Sequence, residues 1–265
     1  MSEALLTVDK LEVVYHRAIT AVQGVGLVVR QGQIVAILGT NGAGKSTTLR
    51  AISGFLGIDD ARVTEGSITF KGERIENRPP NEITRRGIVL VPERDKVFPN
   101  LTVAENLSAP FSRGRGQRDR EALVFQFFPK LRDLRTRTAG LLSGGERQML
   151  ALASALMCEP ELLLVDELSL GLAPVVVEDL MERVVQIQRE LGMTIVIVEQ
   201  SAAAALAVAD YGYVLENGRV VLDGDSARLR AHGDIQEFYL GQSTGNERRS
   251  YRSVKQYRRT RRWYG

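Results

Sequence analysis

Short apolar runs alternate along the chain with longer segments of helical pattern. The apolar runs are residues 34–38, 162–165 and 194–198. Runs of this length, rich in Ile, Val and Leu, are typical of strands buried on both faces of a parallel sheet. The helical segments are residues 46–54, 143–158 and 175–191. The alternation predicts an α/β domain with a mostly parallel sheet.

Antiparallel strands are predicted toward both ends of this pattern. The first are residues 5–15, residues 24–30 and a small hairpin over 67–75 with Gly72 at its turn. Near the other end, Asn217-Gly218 separates two apolar segments within 211–222. This dipeptide between apolar runs is the strongest short hairpin signal. We therefore expect antiparallel strands in addition to the parallel sheet.

Composition narrows the class of protein. The chain has 265 residues, of which 44% are hydrophobic and 25% charged, as in globular proteins. Its longest nearly apolar runs, 149–158 and 201–209, are shorter than the roughly 18 residues that a membrane span needs. The first residues lack the pattern of a secretory signal. Cys158 is the only cysteine, which excludes an internal disulfide and a multi-cysteine metal site and suits a reducing cytoplasm.

The positive charge is concentrated at the end of the chain. Residues 242–265 contain eight basic side chains and one acidic one, whereas the whole chain has a formal net charge of +3. The rest is therefore mildly acidic, so the high isoelectric point of the whole chain does not indicate that the folded part binds nucleic acid. The tail 242–265 is expected to be disordered. Its arginines alternate with Tyr and Trp, a mixture that also suits an anionic membrane surface or RNA.

The most specific motif is GTNGAGKST at residues 39–47. It matches the phosphate-binding P-loop (Walker A) pattern and stands after a buried strand and before a helix, as the mechanism requires. Its glycines let backbone N–H groups converge on phosphate oxygens at a helix N-terminus. Lys45 would neutralise the β- and γ-phosphates, and Ser46 would offer its hydroxyl to Mg²⁺.

Two carboxylates follow the buried run 162–165. Asp166 and Glu167 stand at the carboxyl end of a predicted strand, where ligands bind in open α/β sheets. Asp166 would hold Mg²⁺, and Glu167 would polarise the attacking water. The sequence LSGGERQ at 142–148 taken alone indicates only a helix capped by Ser143, whose glycines expose N–H groups to an anion.

These motifs together resemble those of the ATP-binding-cassette (ABC) ATPases. The P-loop at 39–47, LSGGE at 142–146 and LLLVDE at 162–167 have the order and spacing of that family, and LSGGE is its signature. The resemblance covers about residues 4–241. It implies an α/β P-loop NTPase of the RecA-like type, with a mostly parallel sheet, an antiparallel β subdomain and a helical subdomain. The implied cofactors are ATP and Mg²⁺.

The resemblance also assigns roles to residues. Two cassettes of this family meet head to tail, so that the signature of one contacts ATP bound to the P-loop of the other; an aromatic residue near the N-terminus stacks on adenine. The nucleotide-binding residues would be Tyr15, Gly39, Asn41, Gly42, Ala43, Gly44, Lys45, Ser46, Thr47, Ser143, Gly144 and Gly145. The metal ligands would be Ser46, Asp166 and Glu93, and the catalytic residues Glu167, Gln200 and Glu93.

The family organisation implies domains and partners. Residues 1–92 and 141–241 would form the nucleotide-binding core, and residues 93–140 the helical subdomain that docks on a membrane permease. The partners would be a second ABC ATPase subunit, in a homo- or heterodimer, the permease, and indirectly a solute-binding protein. The expected location is peripheral, at the cytoplasmic face of the cell membrane. Nucleic acid is not an expected partner.

One branch of the family fits more closely. The segments 91–93, 97–107, 169–174, 198–200 and 213–218 resemble the second ATPase subunit of branched-chain amino-acid importers, whose relatives serve urea and short amides.

The chain also departs from the wider family. Most cassettes have Gln at the place of Glu93, His at Gln200 and Pro at Leu168. The residue at 93 reaches Mg²⁺ and the attacking water, and the residue at 200 contacts the γ-phosphate.

Two other functions remain open at this stage. One is a soluble cassette ATPase that acts on nucleic acid or ribosomes through the basic tail. The segment 48–141 has no sustained heptads, unlike the coiled coil of the DNA-repair type, and the chain has one cassette, unlike the translation-factor type. The other is a regulatory cassette without turnover, which Gln200 favours and Glu167 disfavours. The leading interpretation is a transport ATPase that works with a separate permease.

Overall fold

The strands of the protein form two sheets. The structure is a computed structural model that describes residues 3–94, 96–110, 116–233 and 235. The strands are β1 (Ala4–Tyr15), β2 (Ile19–Arg30), β3 (Ile34–Gly39), β4 (Ala61–Phe70), β5 (Glu73–Arg74), β6 (Ile88–Val91), β7 (Leu162–Asp166), β8 (Thr194–Glu199), β9 (Tyr211–Glu216) and β10 (Arg219–Asp225).

Helices connect these strands. They are α1 (Lys45–Ser53), α2 (Pro80–Arg85), α3 (Val103–Ser108), α4 (Gln117–Phe127), α5 (Pro129–Asp133), α6 (Gly144–Leu156), α7 (Pro174–Leu191), α8 (Ala202–Val208) and α9 (Ser226–Ala231), with 3-10 helices over Phe55–Asp59 and Ala139–Leu141. Among the described residues, no helix combines the length and the apolar character needed to cross a membrane.

The predicted parallel sheet is confirmed. Its six strands have the order β10-β9-β3-β8-β7-β6, and all pair in parallel except β10, which pairs antiparallel with β9. Every residue of β3, β7 and β8 is buried. This explains why these strands are apolar without alternation. The predicted hairpin is also present, with Asn217 and Gly218 at φ 48° and 74°, as a type I′ turn requires.

The antiparallel sheet has the order β2-β1-β4-β5. Strands β2 and β4 start five or six residues earlier than predicted, because β1 is paired on both sides up to its last residue: Tyr15 lies opposite Ile19 of β2 and Ala61 of β4. The predicted small hairpin is β4–β5, with Gly72 at φ 79° in its turn. The antiparallel β part that the sequence predicts is therefore confirmed.

Strand β6, at one edge of the parallel sheet, is not predicted by the apolar pattern. It has only four residues and lies at the sheet edge, where it pairs with β7 alone. A run this short has no periodicity that separates a strand from a helix. Helix α2, which leads into β6, and helix α9, near the end of the described residues, are not predicted either.

Three hydrophobic clusters of the described residues pack on the parallel sheet, and the smallest of them joins β3 and β9 to α8. Strand β7 divides its side chains between the two larger clusters: Leu163 and Val165 face the cluster that contains α6 and α7, and Leu162 and Leu164 face the cluster that contains α1 and the antiparallel sheet. The apolar residues of α4 and α5 belong to the first cluster. The basic tail 242–265, for which disorder is expected, lies outside the described residues.

Candidate functional site

A cleft of 390 Å³ lies at the carboxyl ends of the central parallel strands. Such an edge is the usual ligand site of an open α/β sheet. The P-loop follows β3, Glu167 follows β7, and Gln200 follows β8. The residues that line the cleft are Asn41, Gly42, Ala43, Gly44, Lys45, Ser46, Thr47, Glu93, Arg94, Glu167, Leu170 and Gln200. The fold therefore brings most of the sequence-predicted site residues together.

The glycines of the P-loop are required by its backbone. A Cβ on Gly39 would lie 2.5 Å from the carbonyl oxygen of Leu215 on the neighbouring strand β9, which is a clash. Gly44 precedes α1 at φ 97°, a conformation that other residues rarely adopt, and no side chain caps the helix. The first N–H groups of α1 therefore lack acceptors within the helix and can meet an anion.

Lys45 lies inside the cleft with 5% of its surface exposed. Its Nζ donates to the carbonyl oxygens of Gly39 (3.0 Å) and Thr40 (3.2 Å) and lies 3.6 Å from Oε1 of Glu167. The P-loop backbone thus orients the ammonium group at the helix N-terminus. A buried cation beside free N–H groups suits a phosphate.

Ser46 and Asp166 form a pair of hard oxygen groups. Ser46 Oγ donates to Asp166 Oδ1 at 3.0 Å. Burial raises the pKa of Asp166 to about 6, Ser46 opposes this shift, and the charges of Glu167 and Glu93 add to it. Among the described residues, no group of three or more His, Cys, Asp and Glu side chains is arranged to hold a metal ion. The pair suits Mg²⁺, which typically takes one or two protein oxygens together with phosphate and water.

Glu167 and Gln200 contact each other across the strand ends. Gln200 Nε2 donates to both carboxylate oxygens of Glu167, at 3.1 and 2.9 Å. Glu167 itself has a left-handed backbone (φ 49°), and its N–H donates to the carbonyl oxygen of Val198 at 2.9 Å. A non-glycine residue in this conformation is uncommon outside turns and functional sites. The arrangement holds a buried carboxylate at the cleft wall beside Lys45.

Glu93 and Tyr15 differ in their relation to the cleft. Glu93, two residues after β6, lines the cleft and accepts from Nε of Arg94 at 3.1 Å. Tyr15 ends β1, and its hydroxyl lies 3.3 Å from Oγ1 of Thr47. Tyr15 does not line the 390 Å³ cleft, although its contact Thr47 does.

The three signature residues do not line this cleft. Ser143 and Gly144 are exposed at the start of α6. Ser143 caps the helix: its Oγ accepts from the Glu146 N–H at 3.3 Å, and its own N–H donates to the Glu146 carboxylate at 2.8 Å. A Cβ on Gly145 would lie 2.7 Å from Val176, so glycine lets α6 start close to α7. Ser143 and Gly144 are thus exposed outside the nucleotide cleft of their own chain, and Gly145 beside them is partly buried.

Four residues that the sequence pattern does not single out lie in the cleft or behind its wall. Arg94 and Leu170 line the cleft. Lys96 donates from Nζ to Oε1 of Gln148 on α6, and burial lowers its pKa while the charges of Glu93, Asp166 and Glu199 oppose the shift. Glu199 is a carboxylate with 1% of its surface exposed. No local pattern identifies them, because 93–96 is a mixed charged run and Glu199 ends an apolar strand.

Comparison with known proteins places this geometry in a family. Residues 22–169 match the sequence model described as "ABC transporter". The chain is similar to the high-affinity branched-chain amino acid transport ATP-binding protein BraG of Pseudomonas aeruginosa, with 41% identity over 89% of this chain and 100% of the relative. It is 38% identical to the probable branched-chain amino acid transport ATP-binding protein LivF of Archaeoglobus fulgidus, over 80% of this chain and 89% of the relative.

A solved structure is also similar. An ATP-binding cassette of an ABC transporter, in its ADP conformation, matches with a TM-score of 0.78 and 27% identity, over 91% of this chain and 100% of that one.

Proposed function

This chain belongs to the ABC transporter family, and we propose that it is the ATP-hydrolysing subunit of an importer for branched-chain amino acids or related small solutes. The observation that carries the proposal is that Lys45, Ser46 and the Glu167–Gln200 pair line one cleft at the carboxyl ends of the parallel strands, with Asp166 bonded to Ser46. Relatives named as branched-chain amino acid transport subunits support the solute class. They do not fit the alternative of a soluble ATPase that acts on nucleic acid.

The roles of the side chains follow from their chemistry. The N–H groups that open α1 and the ammonium of Lys45 would bind the β- and γ-phosphates. The carboxylate of Glu167 would accept the proton of the attacking water, and Gln200, already bonded to Glu167, would orient both. Mg²⁺ would be held by Ser46 and Asp166, with Glu93 near it, and would neutralise charge that develops on the phosphates.

The partners are part of the same proposal. The exposed signature residues Ser143 and Gly144 suit a nucleotide bound to a second cassette, because they lie outside the cleft of their own chain. We infer that the core is formed by residues 1–92 and 141–241, and that 93–140 docks on the permease. The working complex would lie at the cytoplasmic face of the membrane, and a solute-binding protein would deliver the solute.

Lys45→Ala tests the nucleotide site. The substitution removes the buried cation that faces the phosphates, so the affinity for Mg²⁺-ATP should fall at least about tenfold. Titration of the purified full chain with a fluorescent ATP analogue measures it, with Lys71→Ala, an exposed lysine outside the cleft, as the control. Equal, Mg²⁺-dependent affinity in Lys45→Ala and the wild type would contradict the assignment.

The solute class needs a cellular test. Cells that lack this gene should take up labelled leucine, isoleucine or valine more slowly, and the wild-type gene should restore uptake while Lys45→Ala should not. Labelled urea and acetamide serve as the competing solutes. Restoration of urea or amide uptake alone would redirect the solute assignment without touching the ATPase assignment.

A further inference from the structure

The last residues of β8, and Gln200 directly after them, contact the turn that follows β7. The carbonyl oxygen of Val198 accepts from the N–H of Glu167, and two residues later the amide of Gln200 donates to the carboxylate of Glu167. Glu199 stands between them, and the roles proposed above make no use of it.

Glu199 binds the same turn one step further on. Its Oε1 accepts from the backbone N–H of Ser169 at 2.9 Å, and its Oε2 accepts from the hydroxyl of Ser169. Glu199 has 1% of its surface exposed. One buried carboxylate thus takes both donors of one residue, which fixes that residue in position and in orientation.

The environment of Glu199 is costly for a charge. Burial raises the pKa of Glu199, the hydrogen bonds from Ser169 lower it, the charge of Glu167 raises it, and the backbone of Leu168 lowers it. A buried acid is tolerated where several donors satisfy it. Leu168 stands where Pro is usual in the family, and unlike Pro it has an N–H that can turn toward this carboxylate.

Ser169 lies between two residues that line the cleft, Glu167 and Leu170. Glu167, two residues before it, has the left-handed backbone that sets its carboxylate against the cleft. Leu170, directly after it, is 51% exposed and lines the cleft. A fixed Ser169 therefore restricts the backbone of the two residues that line the cleft on either side of it in the chain, Glu167 and Leu170.

We propose that Glu199 is a positioning residue for ATP hydrolysis: through the N–H and hydroxyl of Ser169 it holds the turn that presents Glu167 to the cleft. The inference rests on the proposed function, because it needs Glu167 to act on the attacking water. Glu199 does not touch the nucleotide cleft itself, so its effect falls on turnover rather than on nucleotide affinity.

Glu199→Gln and Ser169→Ala, made in the full chain, test the proposal. Gln at 199 keeps one acceptor oxygen and turns an NH₂ toward the other donor of Ser169, and Ala at 169 removes the hydroxyl. Each should lower kcat of ATP hydrolysis roughly 10- to 100-fold, since a misplaced reacting group costs rates of this order. The dissociation constant of a fluorescent ATP analogue should change less than about twofold.

Further variants separate positioning from folding. Ser169→Thr keeps both donors and should retain kcat within about threefold of wild type, and the double variant should be no slower than the slower single one, because both break one contact. Glu216→Gln, at the end of the neighbouring strand β9 and outside the cleft, is the matched control and should leave kcat unchanged.

Two outcomes would overturn the inference. One is an unchanged kcat in Ser169→Ala and Glu199→Gln. The other is a parallel loss of affinity, kcat and melting temperature, which would make the contact structural only. Glu167→Gln, measured beside them, keeps this failure distinct from failure of the proposed function: if that variant turns over ATP at the wild-type rate, Glu167 is not the catalytic base and the larger proposal fails.

Discussion

Gln200 is connected to Lys45 through the carboxylate of Glu167. Its Nε2 is bonded to both oxygens of Glu167, and one of these oxygens lies 3.6 Å from Nζ of Lys45. A bound γ-phosphate would compete with Glu167 for both donors. The amide of Gln can donate a hydrogen bond but carries no charge. An imidazole in its place can donate a hydrogen bond and, when protonated, also carry a positive charge.

Gln200→His is therefore expected to raise the turnover of the isolated chain, or at least not to lower it. The cause is the positive charge that a protonated imidazole can place near the γ-phosphate. Steady-state ATP hydrolysis measures it, with Gln200→Leu as a control that removes the donor and should be slower than wild type. A loss of turnover in Gln200→His would show that the amide of Gln200 is itself suited to this site.

Glu167→Gln should keep nucleotide binding and lose at least about a hundredfold in turnover, because an amide cannot accept the proton of water. Single-turnover hydrolysis and nucleotide affinity, measured on the same preparation, separate the two effects. Turnover within tenfold of wild type would move the base elsewhere, and Glu93, which lines the same cleft, would be the next candidate.

At the start of helix α6, the signature residue Ser143 is also the residue that caps the helix. Its first turn is closed by reciprocal hydrogen bonds between Ser143 and Glu146, and Lys130 Nζ lies 3.0 Å from the Glu146 carboxylate. The N–H of Ser143, followed by the Lys130 side chain, holds the pKa of Glu146 at about 2. The signature therefore begins with a cap that fixes the direction of the helix N-terminus.

Protonation of Glu146 should weaken this cap. Because its pKa is lower in the folded than in the unfolded chain, the carboxylate stabilises the fold above pH about 4.5, and the stabilisation is lost as the pH falls from there toward about 2. Urea unfolding of wild type and Glu146→Gln should differ at pH 7, and the difference should shrink by pH 3. A constant difference would contradict the assignment. Ser143→Ala should cost about 0.5–2 kcal/mol at pH 7.

At the scale of the whole molecule, the signature residues lie outside the nucleotide cleft of the same chain. Ser143 and Gly144 are exposed, and the described residues that line the cleft do not include them. In the function proposed above, one chain would therefore supply the P-loop half of one nucleotide site and the signature half of another. Each half would be completed only when a second cassette supplies the other.

The isolated chain should therefore hydrolyse ATP slowly, and activity per chain should rise at least about tenfold when the second cassette and the permease are present. If the partner is another copy, the specific activity should rise with protein concentration; if it is a different chain, it should rise only when that chain is added. Ser143→Ala in this chain tests the same point, because it should impair the partner's site more than its own. Full transporter rates from a monomer would contradict it.

The sequence by itself determined the features that depend on neighbouring residues. The P-loop at 39–47, the acidic pair 166–167 and the turn at Asn217-Gly218 are contiguous, so their residue types limit the local backbone. The burial of β3, β7 and β8 was likewise readable from their unbroken apolar character.

The tertiary structure alone decided what depends on distant residues. The four residues of β6 become a strand by pairing with β7, more than 70 positions along the chain. The contacts of Glu199 with Ser169 and of Lys96 with Gln148 join segments 30 and 52 residues apart. The exposure of the signature depends on how α6 packs. A local sequence pattern does not predict such contacts, because they depend on how the whole chain packs.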